Sequence, residues 1–156
     1  MTFDPHGDIE LHELLPGDDA WAQAFEVLRQ LRGHLDRATF DDLHAAGAAQ
    51  GLRFTGAIVA SPGSPATCVG VAGWRLMDTA SVVRKLFIDD LVVDADHRSA
   101  GVGALLLAHL EEQARAHGAH IVELDSGHQR TDAHRFYRRH GYRDVSLKFR
   151  RHLDAE

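Results

Sequence analysis

At 156 residues with 44% hydrophobic side chains, the chain has the apolar surface for one globular core and is short for two. Its formal net charge of −6 argues against a nucleic-acid binder, which would show a basic patch, and no apolar run approaches the roughly 20 residues of a membrane-spanning helix.

The opening Met1-Thr2-Phe3-Asp4-Pro5 lacks the basic and apolar regions of a secretory signal. A single cysteine, Cys68, excludes an internal disulfide and fits a reducing compartment, so a cytoplasmic location is expected. Cys68 lies in an apolar strand pattern and reads as a buried structural thiol. Twelve histidines raise the question of a metal, but His109, His117, His120, His128, His134 and His140 form neither a His-x-x-x-His pair nor a set with cysteine, so no metal is expected.

In chain order, Asp8 to Leu15 alternates acidic or His with Ile9, Leu11 and Leu14 and predicts an edge strand stopped by Pro16-Gly17. Asp18 or Asp19 caps a helix predicted through about Leu35, with Trp21, Ala24, Phe25, Leu28 and Leu31 at helical spacing. A second helix fits Thr39 to Gln50 and ends at Gly51. Leu52 to Ala60 reads as a strand, Ser61-Pro62-Gly63-Ser64-Pro65 as a turn, and Thr67 to Met77 as the next strand. Val82 to Val93 is the long central strand. Beyond it, Val102, Leu105, Leu106, Leu110 and Ala114 form the buried stripe of a helix ending near Gly118. Strand Ala119 to Asp125, a helix from about Thr131 to His140, and a last strand Tyr142 to Phe149 complete the order.

The turn after the central strand carries Arg98-Ser99-Ala100-Gly101-Val102-Gly103-Ala104. Glycines here let a ligand approach the backbone, and the first amides of the following helix point outward at the positive end of its dipole. That combination cradles anions, phosphate above all. A P-loop would need Gly-Lys-Ser/Thr, but Gly103 precedes Ala104 and Leu105. A dinucleotide fingerprint would need a third glycine, which is absent, although Asp125 stands near its acidic position.

The Arg98-x-x-Gly101-x-Gly103 turn, the block Ala133-x-x-Phe136-Tyr137-x-x-x-Gly141-Tyr142, and the order of elements together resemble the GNAT superfamily of N-acetyltransferases over almost the whole chain. The resemblance implies an α/β fold: one domain spanning 1–156, a mixed, mostly antiparallel sheet flanked by helices, and a bulged, splayed central strand. It implies acetyl transfer from acetyl-CoA to a primary amine of a small molecule or peptide by direct attack.

Carried over residue by residue, the turn from Arg98 to Ala104 holds the pyrophosphate. The bulge falls around Asp90, Leu91 and Val92; Leu91 N–H is the candidate oxyanion donor, and Val92 and Val93 pair with the pantetheine arm. Tyr137 protonates the departing thiolate, and Ala133 and Phe136 line the cofactor. Asp89 and Asp90 interrupt an apolar strand and must find partners, water or function; either is a candidate general base, and His128 is a further one. Where the family often has an Asn three residues before the helix Ala, this chain has Arg130, which stands as a cofactor or acidic-group ligand or a surface ion pair.

Two rivals remain at this stage. One is a non-catalytic acyl-CoA sensor or interaction domain on the same scaffold, and the other an enzyme using a longer acyl-CoA. Ser146-Leu147-Lys148-Phe149-Arg150 reads as an edge strand able to support a homodimer.

Overall fold

A computed structural model describes residues 9–154 apart from 61 and 64. Asp8, Ser61, Ser64 and the Met1–Pro5 segment therefore lie outside the described residues. The elements are β1 (Ile9–Glu13), α1 (Asp19–Arg29), α2 (Arg37–Ala48), β2 (Arg53–Val59), β3 (Thr67–Thr79), β4 (Val83–Val93), a 3-10 turn (Ala95–His97), α3 (Val102–Ala116), β5 (Val122–Leu124) and α4 (Thr131–Arg139). They divide into two compact units, one ending at Leu124 and the other beginning at Asp125.

In the first unit the strands follow one another in the order β1-β2-β3-β4-β5. The first three pairings are antiparallel and β4–β5 is parallel, giving the mixed, mostly antiparallel α/β sheet expected. On one face, Trp21, Phe25 and Phe40 of α1 and α2 pack against Phe54 of β2 and Val71 of β3. Phe40 stacks on Trp21 with centroids 4.4 Å apart and meets Phe54 edge-on at 5.2 Å, an arrangement worth more than the buried area alone. On the other face lies α3, burying Val102, Leu106, Leu107, Leu110 and Ala114; Leu105, expected among them, is only half-buried. Cys68 is buried, as its strand context implied.

Helix α1 ends at Arg29, six residues before the expected Leu35. Leu31 and Leu35 keep the helical spacing and still pack on the core, but the chain has left the helix before them, and the side chains of Gln30 and Arg32 reach to Asp94 just past β4 and to Asp90 within it. α2 begins where Asp36 accepts from Thr39 N at 2.7 Å, an N-cap bond.

The second unit contains α4, stopped at Gly141, whose φ of +87° suits glycine. The strand expected over Tyr142–Phe149 is not formed. Its alternating pattern is real, but a strand also needs a ladder partner for its N–H and C=O groups, and among the described residues of this unit it has none. Val145, Leu147 and Phe149 are 73–88% exposed.

Candidate functional site

Strand β4 changes character at Asp89. Trp74 of β3 lies opposite Ile88, while its neighbour Gly73 lies opposite Asp90, so Asp89 is one extra residue in β4. This bulge stands one residue earlier than the expected Asp90–Val92. An inserted residue flips the faces: Ile88 lies beside Trp74 on the α3 side, whereas Val92 joins the core beneath α1 and α2.

The same insertion decides which amides meet an open edge. Leu86 N donates to Ile121 O of the β5 side at 3.0 Å, and the β4–β5 pairing ends at Ile88 with Leu124. Asp94 N donates back to Val69 O of β3 at 2.9 Å. Alternation between those two anchors turns the N–H and C=O groups of Leu91 and Val93 to the edge away from β3. No other strand of the first unit pairs there among the described residues. Val92, expected to contact cofactor with its neighbours, turns its backbone to β3 and its side chain into the core.

The open edge runs directly into the glycine turn. Arg98 is extended, Ser99 adopts a φ of +66° and Gly101 one of +80°. Ser99 thus holds a left-handed conformation unusual for a non-glycine residue, a form of strain that clusters at functional turns. Gly101 is the N-cap of α3 and supplies no side chain to its amides, and the first turn holds no acidic residue. The amides of Val102, Gly103 and Ala104 are therefore presented at the positive end of a 15-residue helix.

Both expected carboxylates are held by arginines. Arg75 of β3 grips Asp89 through Nε at 2.9 Å and Nη2 at 3.2 Å, and its Nη1 donates to Gln50 at 3.1 Å. Arg32, just beyond α1, donates from Nε to Asp90 Oδ1 at 2.7 Å and makes a longer contact to Asp89 O at 3.4 Å. Burial pushes the Asp90 carboxyl above its ordinary value, opposed by the bond and charge of Arg32 and abetted by the neighbouring Asp89. Gln30 bridges the end of the strand, donating to Asp94 Oδ1 at 2.6 Å and accepting from Ala95 N at 2.9 Å. Gln30, Arg32, Gln50 and Arg75 were missed by sequence reasoning. Two adjacent acids in an apolar strand were the available signal, since each demands a cationic or amide partner.

In the second unit, Tyr137 is half-buried on α4. Burial pushes its phenol up to about 12 against the opposing charge of Arg130. Phe136 meets Tyr137 edge-on at 5.3 Å, Ala133 is half-buried, and Arg130 is the N-cap residue of α4. His128 is exposed.

The model of the Acetyltransferase (GNAT) family matches residues 18–142. The chain belongs to the GNAT family of acetyltransferases. The uncharacterised N-acetyltransferase YhdJ of Bacillus subtilis strain 168 is 32% identical over 79% of this chain and 84% of its own. The aminoalkylphosphonate N-acetyltransferase of Salmonella typhimurium is 44% identical over 66 residues, 42% of this chain and only 43% of that protein. Among solved structures, a Trypanosoma brucei acetyltransferase superposes with a TM-score of 0.75 at 25% identity, covering 94% of this chain and all of the other.

This GNAT chain is thus an acyltransferase. Among its described residues no three of His, Cys, Asp and Glu are grouped as metal ligands would be, and no helix is long and apolar enough to cross a membrane.

Proposed function

We propose that this GNAT enzyme moves an acetyl group from acetyl-CoA to a primary amine of a small molecule or peptide by direct attack. The observation that carries the reading is the continuity of the open edge at Leu91 and Val93 with the unblocked amides of Val102, Gly103 and Ala104. A strand edge receives an extended amide-bearing chain through backbone hydrogen bonds, and a helix N-terminus receives phosphate. Pantetheine and pyrophosphate offer those two features in that order.

In this reading Arg98, Ser99, Ala100 and Gly101 shape the turn and, with the amides of Val102, Gly103 and Ala104, hold the pyrophosphate. Val93 pairs with the pantetheine arm, and Leu91 N–H donates to the oxyanion that develops as the thioester carbonyl is attacked. Asp90 takes a proton from the incoming ammonium, because its burial raises its basicity while its neighbour Asp89 is engaged at both oxygens by Arg75. Tyr137, a phenol kept protonated at neutral pH, gives a proton to the departing thiolate. Ala133, Phe136 and Arg130 complete the cofactor contacts. The partial likeness to an aminoalkylphosphonate N-acetyltransferase supports a small primary amine as acceptor.

A homodimer is proposed on the row Val145, Leu147 and Phe149, whose exposed side chains are suited to cover by a second copy. A cytoplasmic location fits the single buried thiol of Cys68. Free-thiol release measured with acetyl-CoA and longer acyl-CoA donors across a panel of amines tests the activity. Amine-dependent release, fastest with acetyl-CoA, is expected. Tight acyl-CoA binding with no release from any amine would instead establish a sensor.

A further inference from the structure

The two arginine–aspartate pairs beside the bulge are built differently. Arg75 engages Asp89 through two nitrogens and Gln50 through the third, with 21% of its side chain exposed. Each of its three nitrogens is engaged, and the pair is a fixed strut. Arg32 engages Asp90 Oδ1 through Nε and keeps only a longer contact from Nη2 to a backbone carbonyl. Its Nη1 bonds no protein group among the described residues, and 41% of its side chain is exposed. Arg32 also stands on the non-helical turn after α1, whereas Asp90 is only 16% exposed and abuts Gly73 on the sheet.

A half-buried carboxylate left ionised and without a cation is costly, so at neutral pH the departure of Arg32 from Asp90 is favoured by another cation taking its place. An ammonium group can take that place, and the displaced guanidinium then needs an anion. A molecule carrying both charges satisfies both demands at once.

We propose that the Arg32–Asp90 ion pair is the resting form of an acceptor site for a zwitterionic amine. Its ammonium replaces Arg32 on Asp90, and its carboxylate, phosphonate or phosphate group is captured by the fork of Arg32. This deepens the acetyl-transfer reading and rests on it for chemistry only. One ammonium proton passes to Asp90, and the neutral nitrogen forms its bond to the acetyl carbon as the carbon–sulfur bond breaks. The electron pair of that bond leaves on sulfur, which takes a proton from Tyr137, while the second amine proton is released to water. Arg32 acts as a specificity-determining residue.

Calorimetric titration of the full chain, with and without CoA, with 2-aminoethylphosphonate, 3-aminopropanoate and propylamine tests the site. The parent is expected to bind at least one acidic amine roughly tenfold or more tightly than propylamine, the difference that a charge-assisted fork supplies. In Arg32→Gln that ratio should fall to within about twofold of one, and in Arg32→Lys, which keeps the charge without the fork, it should lie between. The two acidic amines distinguish phosphonate from carboxylate. An equal affinity for all three amines, no binding of any, or a ratio unchanged in both variants would overturn the proposal. Should Arg32→Gln fail to fold, Arg32→Lys decides alone. Arg32-dependent binding without thiol release from acetyl-CoA would sink the acetyl-transfer reading and leave this site standing, whereas release with propylamine alone would do the reverse.

Discussion

The two halves of β4 are made of similar residues and do different work. Leu86 to Ile88 lies between β3 and β5, with Leu86 and Ile88 at 0% and 2% exposure. Asp89 to Val93 has β3 on one edge and, among the described residues, no strand of the first unit on the other, and its polar side chains are matched by single arginines. One inserted residue separates a segment paired on both edges from one in which Leu91 and Val93 turn their backbone groups away from β3. Sequence changes in the closed half should register in stability, and those in the open half in binding and turnover.

The largest expected effect lies wholly on the reactive side. Tyr137→Phe keeps the ring and its packing while deleting the proton assigned to the thiolate, so turnover should fall by roughly 10²–10⁴ with the melting temperature little changed. Steady-state thiol release decides it. A variant retaining more than about a tenth of parental turnover would remove Tyr137 from the chemistry.

The closed half provides the opposite signature. Leu86→Ala leaves a cavity beneath a fully buried side chain and should destabilise by about 2–5 kcal/mol in denaturant melts, with kcat preserved in the folded fraction. Equal losses of stability from Leu86→Ala and Leu91→Ala would erase the distinction between the halves. In the turn that follows the open half, Gly103→Val places a branched side chain at the second helical position. It should weaken acetyl-CoA binding about tenfold, near 1.4 kcal/mol, in a calorimetric titration.

Most of the fold was legible because burial imposes periods that the sequence must obey. Trp21, Phe25 and Leu28 announce α1, and the glycine turn announces α3. The errors share one cause. Leu31 and Leu35 satisfy a helical period although α1 has already ended at Arg29, and Val145, Leu147 and Phe149 satisfy a strand period although no strand of their unit pairs with them among the described residues. Period tells which side chains share a face and is silent on which backbone groups find partners. The candidate site follows the same division. Asp89 and Asp90 could be singled out as anomalies, whereas Arg32, Arg75 and Gln30 became visible only once the fold brought residues 14 to 64 positions apart into contact.

A smaller effect concerns pH. Hydrogen bonds from Thr39 to Asp36, from Trp21 to Asp41, from Arg84 to Asp78 and from Gln30 to Asp94 hold these carboxyls below their ordinary 3.8. Folding favours their ionised forms, so their stabilisation is present at neutral pH and is lost as pH falls below that value. Asp90 has the opposite sign. Its raised carboxyl binds a proton more tightly when folded, so its contribution is greatest in acid and declines as pH rises through the raised value. Melting temperatures between pH 3 and 7 should therefore show Asp90→Asn gaining on the parent as pH climbs past about 4. A constant difference across that range would contradict the burial assigned to Asp90.

The most direct test of the division within β4 is an amide-resolved NMR titration of the isotopically labelled chain with acetyl-CoA. The amides of Leu91, Val93, Val102, Gly103 and Ala104 should shift progressively to saturation, while those of Leu86 and Ile88, already bonded within the sheet, stay in place. Saturable binding that leaves Leu91 and Val93 unmoved, or moves Leu86 and Ile88 as far, would contradict the assignment of the open edge as the seat of the thioester.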